Sequence, residues 1–403
     1  MKTSTGQDPL QRKRLSLIYL KKPKICIVTA HFFPSIGGVQ TSILELARRL
    51  VKKGLEVEIH ASNMASAPQV EDLEGITVIR HTMLFRMLRA TVNPAIPVGI
   101  MKRKDADIIH VVSTYPTISD LGLFLARISR KPVVLAHHFD GEGYGLLGCI
   151  FQKVYLPLFA KWVNWFATIA VSSTRSYADT SPVLGRIRKP LVVIPNGVDL
   201  QRFNPSLDGR EGRRRFNISE EARVLLFVGR LVPCKGLEYL IESVSKVLDE
   251  HKDVVLMIVG EGELKRELMA LTRRMGLEKN VVFTGQVDGS MLPLCYAASD
   301  IFVLPSVSRL EAFGIVLIEA MASGKPVIST TIPGAREVVI PGETGLIVPP
   351  GDSESLANAM ATLLRNDKLR YEMGCRARSL AERKYDWTDV ANQYLRVYEA
   401  ALQ

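Results

Sequence analysis

Short apolar runs rich in β-branched residues alternate with helically spaced stretches along almost the whole chain. Ile25–Ala30 is one such run; a glycine-containing loop follows, then the amphipathic stretch Thr41–Lys53. Gly54 ends that stretch and Val57–His60 resumes an extended run. Further buried-strand candidates are Ile108–Val112, Val133–Ala136, Ile169–Ser172 and Val192–Pro195. Strands that are apolar on both faces, separated by helices, predict a parallel sheet covered on both sides.

After the polar stretch Asn204–Glu221, read as a linker and a first helix, the alternation restarts. Strands are predicted at Val224–Val228, Val254–Val259, Val281–Phe283, Ile301–Leu304 and Val327–Thr330, with helices near Leu237–Leu248 and Leu264–Met275. The expected fold class is therefore α/β, with two Rossmann-like domains facing across a cleft. The first spans 23–203 and is joined by a C-terminal helix at 388–403; the second spans 204–387; residues 1–22 form a basic extension. Ligands gather at the carboxyl ends of strands in such sheets.

Charge sharpens the picture. Of the 52 Lys+Arg and 41 Asp+Glu, residues 1–200 hold 26 and 14, so the excess of +11 lies entirely in the N-terminal half. A surface facing nucleic acid or an anionic membrane would account for it. Five cysteines, far apart and without a C-x-x-C pair, argue against a disulfide framework or a zinc site and fit a reducing cytosol. The apolar run Leu15–Leu20 is short for a secretory signal. Tyr155–Val171 is broken by Pro157, Lys161 and Asn164 and falls short of a membrane span. A helix carrying Phe151, Tyr155, Phe159, Trp162, Trp165 and Phe166 with Lys153 and Lys161 suits either a lipid interface or packing against the sheet.

Several short patterns could carry chemistry. Gly37-Gly38-Val39-Gln40 opens a helix after the first strand, where amides can meet an anion. Gly229-Arg230 and Lys235-Gly236 follow the first strand of the second module; a guanidinium and an ammonium there suit a diphosphate. Gly260-Glu261-Gly262 starts a dinucleotide fingerprint that fails because position 265 is lysine. Glu311 and Glu319 bracket Gly314 and a helix start, so two carboxylates and free amides share a small volume. His137 and His138 end a strand, before Asp140. Asp105-Ala-Asp107 is read as a strand-start loop, with no metal assigned.

From about Lys24 to Leu402 the chain resembles the retaining GT-B glycosyltransferases called group 1, or glycosyltransferase family 4. The carriers are GGVQ at 37–40, IPNGVD at 194–199, GRLVPCKG at 229–236, VGEGELK at 259–265, FTGQV at 283–287, EAFGIVLIEAMASGKPVI at 311–328 and IPGAREVVIPGETGLIVPPGD at 332–352. The resemblance implies that Arg230 and Lys235 bind the donor diphosphate and stabilise it as it leaves. Glu319 would bind the donor ribose, and Glu311 with the backbone of Phe313, Gly314, Ile315 and Val316 the transferred sugar and phosphates. His138 would lie near the reactive carbon and Gly38 near the phosphates. Gly229, Gly260, Gly285 and Val287 complete the implied donor site. Two departures are Cys234, where an acid is common, and Ala335 near Glu337.

The implied reaction moves a sugar from a nucleoside diphosphate to an acceptor hydroxyl with retention, by front-side attack and without a metal cofactor. A lipid or lipid-linked acceptor at an anionic membrane is expected, phosphatidylinositol first, with no nucleic-acid partner. The enzyme would be cytoplasmic, peripheral on the inner membrane face. A nucleotide-sugar epimerase of the same architecture, or a non-catalytic sugar-binding protein, are the rival readings. A nicotinamide oxidoreductase would need an intact G-x-G-x-x-G.

Overall fold

Continuous apolar runs become the parallel strands of two separate sheets in a computed structural model. It describes residues 23–35, 37–63, 67–82, 85–87, 90–93, 96, 105–113, 130–141 and 151–403, so the basic extension 1–22 lies outside the described residues. The chain divides into two compact units. The first takes in Met1–Ser172, Ser181–Ile194 and Val390–Gln403; the second takes in Ser173–Thr180 and Pro195–Asp389.

In the first unit the strands are β1 (Lys24–Val28), β2 (Glu56–Asn63), β3 (Val70–Leu73), β4 (Ile76–Thr82), β5 (Phe85–Met87), β6 (Ala90–Val92), β7 (Ile108–Ser113), β8 (Val133–His137), β9 (Ile169–Ser172) and β10 (Leu191–Val193). All but β5 and β6, which pair with each other, form one sheet in the order β10-β9-β8-β7-β1-β2-β4-β3. Every position of β7, β8 and β9 is buried, as the unbroken apolar runs required. The sheet is parallel except for β3, which returns antiparallel along β4. The β3–β4 hairpin was not anticipated: its outer strand alternates between exposed and half-buried positions and shows no buried run.

Helix α1 (Gly38–Lys52) begins three residues earlier than its apolar spacing indicated. Gly54, at φ +88°, closes it, its amide donating to Val51 O at 2.8 Å. A π-helical turn, Phe151–Tyr155, leads into α2 (Leu156–Phe166). Leu156, Phe159, Ala160 and Val163 of α2 join a core with Val28, Val111, Val133 and Leu135.

The second unit begins, in chain order, with α3 (Arg175–Thr180) and α4 (Arg210–Arg215). It continues with β11 (Arg223–Val228), α5 (Leu237–Val247), β12 (Val254–Val259), α6 (Lys265–Arg274), β13 (Val281–Gly285), α7 (Met291–Ala298), β14 (Ile301–Leu304), α8 (Ile315–Ala322), β15 (Val327–Thr330), α9 (Pro333–Arg336) and β16 (Gly345–Val348). Helices α10 (Ser353–Arg365), α11 (Asp367–Lys384) and α12 (Trp387–Ala401) follow. Its sheet is wholly parallel, in the order β13-β12-β11-β14-β15-β16. Residues 195–203, placed by sequence with the first domain, belong here. Val198 N donates to Tyr385 O at 2.7 Å, and Val198 and Phe203 sit in the second core.

Helix α12 passes into the first unit at Val390. Val390, Ala391, Tyr394, Val397, Tyr398 and Ala401 form its buried stripe at helical spacing. Tyr398 OH lies 2.6 Å from His110 Nδ1 of β7, and the Tyr394 ring stacks on the same imidazole.

Candidate active site

In the second sheet the chain runs from β11 outward to β12 and β13, then returns to the other side of β11 for β14, β15 and β16. The loops after β11 and β14 therefore part at a topological switch point, where such sheets hold ligands. The glycines beside it answer a steric demand. Gly229 N donates to Val259 O at 3.0 Å, and Gly260 N to Gly285 O at 2.9 Å, so three strand ends are stitched together. A Cβ on Gly260, whose φ is +139°, would lie 1.9 Å from Gly229 O; one on Gly262 would lie 2.3 Å from Leu231 O. The broken dinucleotide fingerprint is thus a seam between loops, close enough that only glycine fits.

The charged residues of the two switch-point loops meet. Lys235, in a 3-10 turn after β11, forms an ion pair through Nζ with Glu311 Oε2 in the loop after β14. Ser306 Oγ donates to the same carboxylate oxygen at 3.1 Å. Val307 N donates to Cys234 O at 2.9 Å, so the departure at Cys234 leaves the loop's backbone join in place. Both partners of the ion pair are largely shielded from solvent, with side-chain exposures of 17% and 12%. Arg230 is exposed on the first of these loops. The pair is a preorganised charge whose ammonium and carboxylate can each take up a ligand group.

Gly314 is the N-cap of α8 at φ +82°. A Cβ there would press within 3.0 Å of both Leu317 and Leu304, so the tight helix entry needs glycine. The first amides of α8, at Ile315 and Val316, have no carbonyl behind them within the helix and offer an anion site. The Phe313 ring is buried and packs edge-on against Tyr385. The side chains of Val287, Ile315 and Val316 likewise pack on the core.

Glu319 lies inside α8, and its Oε2 accepts from the hydroxyl of the fully buried Tyr296 at 2.8 Å. Burial pushes this carboxyl up to about 7, against the opposing pull of the Tyr296 hydroxyl and of Arg202. A carboxyl poised there gains from hydrogen-bond donors supplied by a ligand, and vicinal hydroxyls are such donors. Tyr296, Arg202 and Ser306 were not singled out by sequence. They lie 23, 117 and 5 positions from the carboxylates they serve, and only folding joins them.

Gly38 and His138 belong to the first unit. There the switch point lies at β1, between β7 and β2, and Gly38 opens the 15-residue helix α1 on the loop that leaves it. His138 directly follows β8, its amide donating to Ser113 O at 3.2 Å. Burial, with His137 beside it, pushes the His138 imidazole down to about 4, so it is neutral at pH 7. His137 points elsewhere: Nε2 hydrogen-bonds Asp140 Oδ1 at 3.0 Å, and Ser181 Oγ donates to the same oxygen at 2.7 Å. Asp105 and Asp107 secure the start of β1, Asp107 accepting from Lys24 N and Asp105 pairing with Lys24 Nζ. Ala335 is fully buried, a close fit for its small side chain.

Two consecutive α/β units, the second with a charged pair at its switch point, define the architecture of a GT-B glycosyltransferase. Family models match both: "Glycosyltransferase Family 4" over residues 36–202 and "Glycosyl transferases group 1" over residues 208–380. A phosphatidyl-myo-inositol mannosyltransferase from Mycobacterium leprae is 31% identical over 93% of this chain and 96% of its own. A GDP-mannose-dependent alpha-(1-6)-phosphatidylinositol monomannoside mannosyltransferase from Mycolicibacterium smegmatis is 26% identical over 90% and 94%. Among solved structures, Anabaena HepE in complex with UDP-glucose superposes with a TM-score of 0.77 at 22% identity, covering 94% of this chain and 99% of its own. The chain belongs to the group 1 glycosyltransferases and is a transferase enzyme. Among the described residues no helix is long and apolar enough to cross a membrane.

Proposed function

We propose that this enzyme transfers a mannosyl residue from a nucleoside-diphosphate sugar to a hydroxyl of an inositol-bearing lipid, with retention of configuration, at the cytoplasmic membrane face. The observation that carries the donor half is the Lys235–Glu311 pair beside the start of α8. In this reading the anomeric carbon breaks its bond to the diphosphate oxygen as the acceptor oxygen forms its own from the same face. The bonding electrons go to the diphosphate, and the acceptor's proton passes to a departing phosphate oxygen. Arg230, Lys235 and the α8 amides stabilise the charge that develops there, and no metal is assigned. Glu311 holds sugar hydroxyls, Glu319 the ribose, and neutral His138 and Gly38 serve the reacting sugar and phosphates. Mannose and the inositol acceptor rest on the mycobacterial relatives.

The membrane half of the reading rests on the helix before β9. Its aromatics divide: Phe159 packs into the core, whereas Trp165 is 69% exposed. Exposed Val154, Leu158, Lys161 and Trp165 recur at i, i+4, i+7 and i+11, a second stripe opposite the buried one. The Asn164 side chain ties the loop carrying exposed Arg186 and Arg188 to this helix, Nδ2 donating to Arg186 O at 3.2 Å. Apolar side chains flanked by cations suit an anionic lipid surface.

The deciding experiment incubates the enzyme with GDP-mannose, UDP-glucose or ADP-glucose and vesicles with or without phosphatidylinositol. Mannosylated inositol lipid of α configuration is the expected product, and a new sugar formed from donor alone would replace transfer with isomerisation. Vesicle sedimentation, rising with anionic lipid and falling with salt, tests the membrane half.

A further inference from the structure

The loop that carries Glu311 leans on a small assembly that neither the donor set nor the fold itself explains. Gly334, in α9, packs on it so closely that a Cβ would sit 2.1 Å from Ala312 O and 2.7 Å from Glu311 O. Just after α9, the Glu337 carboxylate accepts three hydrogen bonds from the start of α3. These come from Arg175 N at 3.1 Å, Ser176 N at 2.7 Å and Ser176 Oγ at 2.8 Å. Pro333 O shares the single Ser176 hydroxyl proton with that carboxylate. The segment Ser173–Thr180, all within the second unit, in turn reaches the same loop twice. Ser173 Oγ donates to Ala312 O at 3.5 Å, and Arg309 Nη1 donates to Thr180 O at 2.9 Å with its guanidinium 5.4 Å over the Tyr177 ring. A closed ring of contacts therefore runs from Ala312 through Gly334 and Glu337 to Ser176, and back through Ser173.

We propose that Glu337 is a positioning residue for sugar transfer: by fixing the start of α3 it holds residues 309–312, and so the Glu311 carboxylate. The inference rests on the donor-site reading above. Its chemistry follows from the acceptor count. A carboxylate can accept on both oxygens, whereas a glutamine amide must turn its NH2 toward one of the backbone N–H groups, so Glu337→Gln breaks the grip without changing size. Because Glu319 and the glycine seam lie outside the ring, nucleotide binding should survive while the sugar-dependent step suffers.

The test compares Glu337→Gln, Arg309→Ala, the double variant and Lys235→Ala, measuring kcat, donor KM and the Kd of free GDP and UDP. We expect Glu337→Gln to leave nucleotide Kd within about twofold and lower kcat about tenfold, with the double variant no worse than the poorer single one. Should Glu337→Gln fail to fold, Ser176→Ala and Arg309→Ala probe the same ring. Independent, additive losses, or nucleotide affinity falling in step with turnover, would overturn the positioning role. Normal turnover in Glu337→Gln with a crippled Lys235→Ala overturns this inference alone; normal turnover in both overturns the donor-site reading beneath it.

Discussion

Lys235 and Glu311 stand 76 positions apart in sequence and form an ion pair across the two loops that part at the switch point of the second sheet. Neither loop could place its charge alone. Gly236, at φ +63°, brings the first within reach of the second, since a Cβ there would sit 2.4 Å from Pro305 O.

The first prediction follows from that pair. Lys235→Ala should lower kcat about 10²- to 10³-fold, the range for losing a charge that stabilises a transition state. Glu311→Gln should also reduce turnover but leave nucleotide affinity close to normal, because its partner ammonium remains. Steady-state kinetics with nucleotide titration separates the two; nucleotide affinity lost in Glu311→Gln would move that residue from sugar to nucleotide.

The second prediction concerns the seam. Gly260→Ala must displace the Gly229 carbonyl and so carry Arg230 with it, whereas Gly276→Ala meets nothing within 4 Å. Both positions have positive φ, which costs an alanine about 1–3 kcal/mol. Urea unfolding should therefore show both variants destabilised, Gly260→Ala the more. Turnover should fall only in Gly260→Ala.

Most of the scaffold was legible because parallel strands buried on both faces leave unbroken apolar runs. β9, β12, β14 and β15 fall on their expected residues. The β3–β4 hairpin and β16 were missed because none is a continuous buried run: β3 alternates exposed with half-buried positions, β4 buried with half-buried ones, and the edge strand β16 is buried only at Gly345 and Val348. At the site, glycines and charges were visible as local patterns. Tyr296 under Glu319 and Glu337 under α3 were not, because each acts through a partner distant in sequence. The aromatics of α2 illustrate the limit most clearly. The sequence left a lipid interface and packing against the sheet both open for this helix, and the structure buries Phe159 while leaving Trp165 exposed.

A third prediction concerns acid. Burial first, then His138, pushes His110 down to about 3; burial first, then His60, pushes His81 to about 4; His138 also lies near 4. Each binds its proton more weakly folded than unfolded. Their stabilisation is present above pH 6.5 and is lost as pH falls through 4, at up to about 1.4 kcal/mol per pH unit per proton. Glu319, raised to about 7, acts in the opposite direction between its unfolded value and 7 and offsets part of the loss. Thermal unfolding should show Tm dropping from pH 6.5 to 4. His110→Asn should flatten that slope, and an unchanged slope would refute the assignment.

The last prediction returns to Glu319 and Tyr296. Burial holds the Glu319 carboxyl near 7 in the free enzyme, so at neutral pH it is partly protonated. Ribose hydroxyls donating to it would favour the ionised form and lower its pKa on binding. By linkage, nucleotide affinity must then rise as pH increases through about 7 and level off above it, with a proton released on binding below that point. Glu319→Gln, which cannot ionise, should bind more weakly at pH 8 and lose this pH dependence. Tyr296→Phe removes the hydroxyl that helps hold the charged form, so its midpoint should move upward. Calorimetric titration of GDP or UDP from pH 5.5 to 8.5, in buffers of different ionisation heat, reads both affinity and proton release. A flat profile in the unaltered enzyme, or one that persists in Glu319→Gln, would remove Glu319 from the ribose.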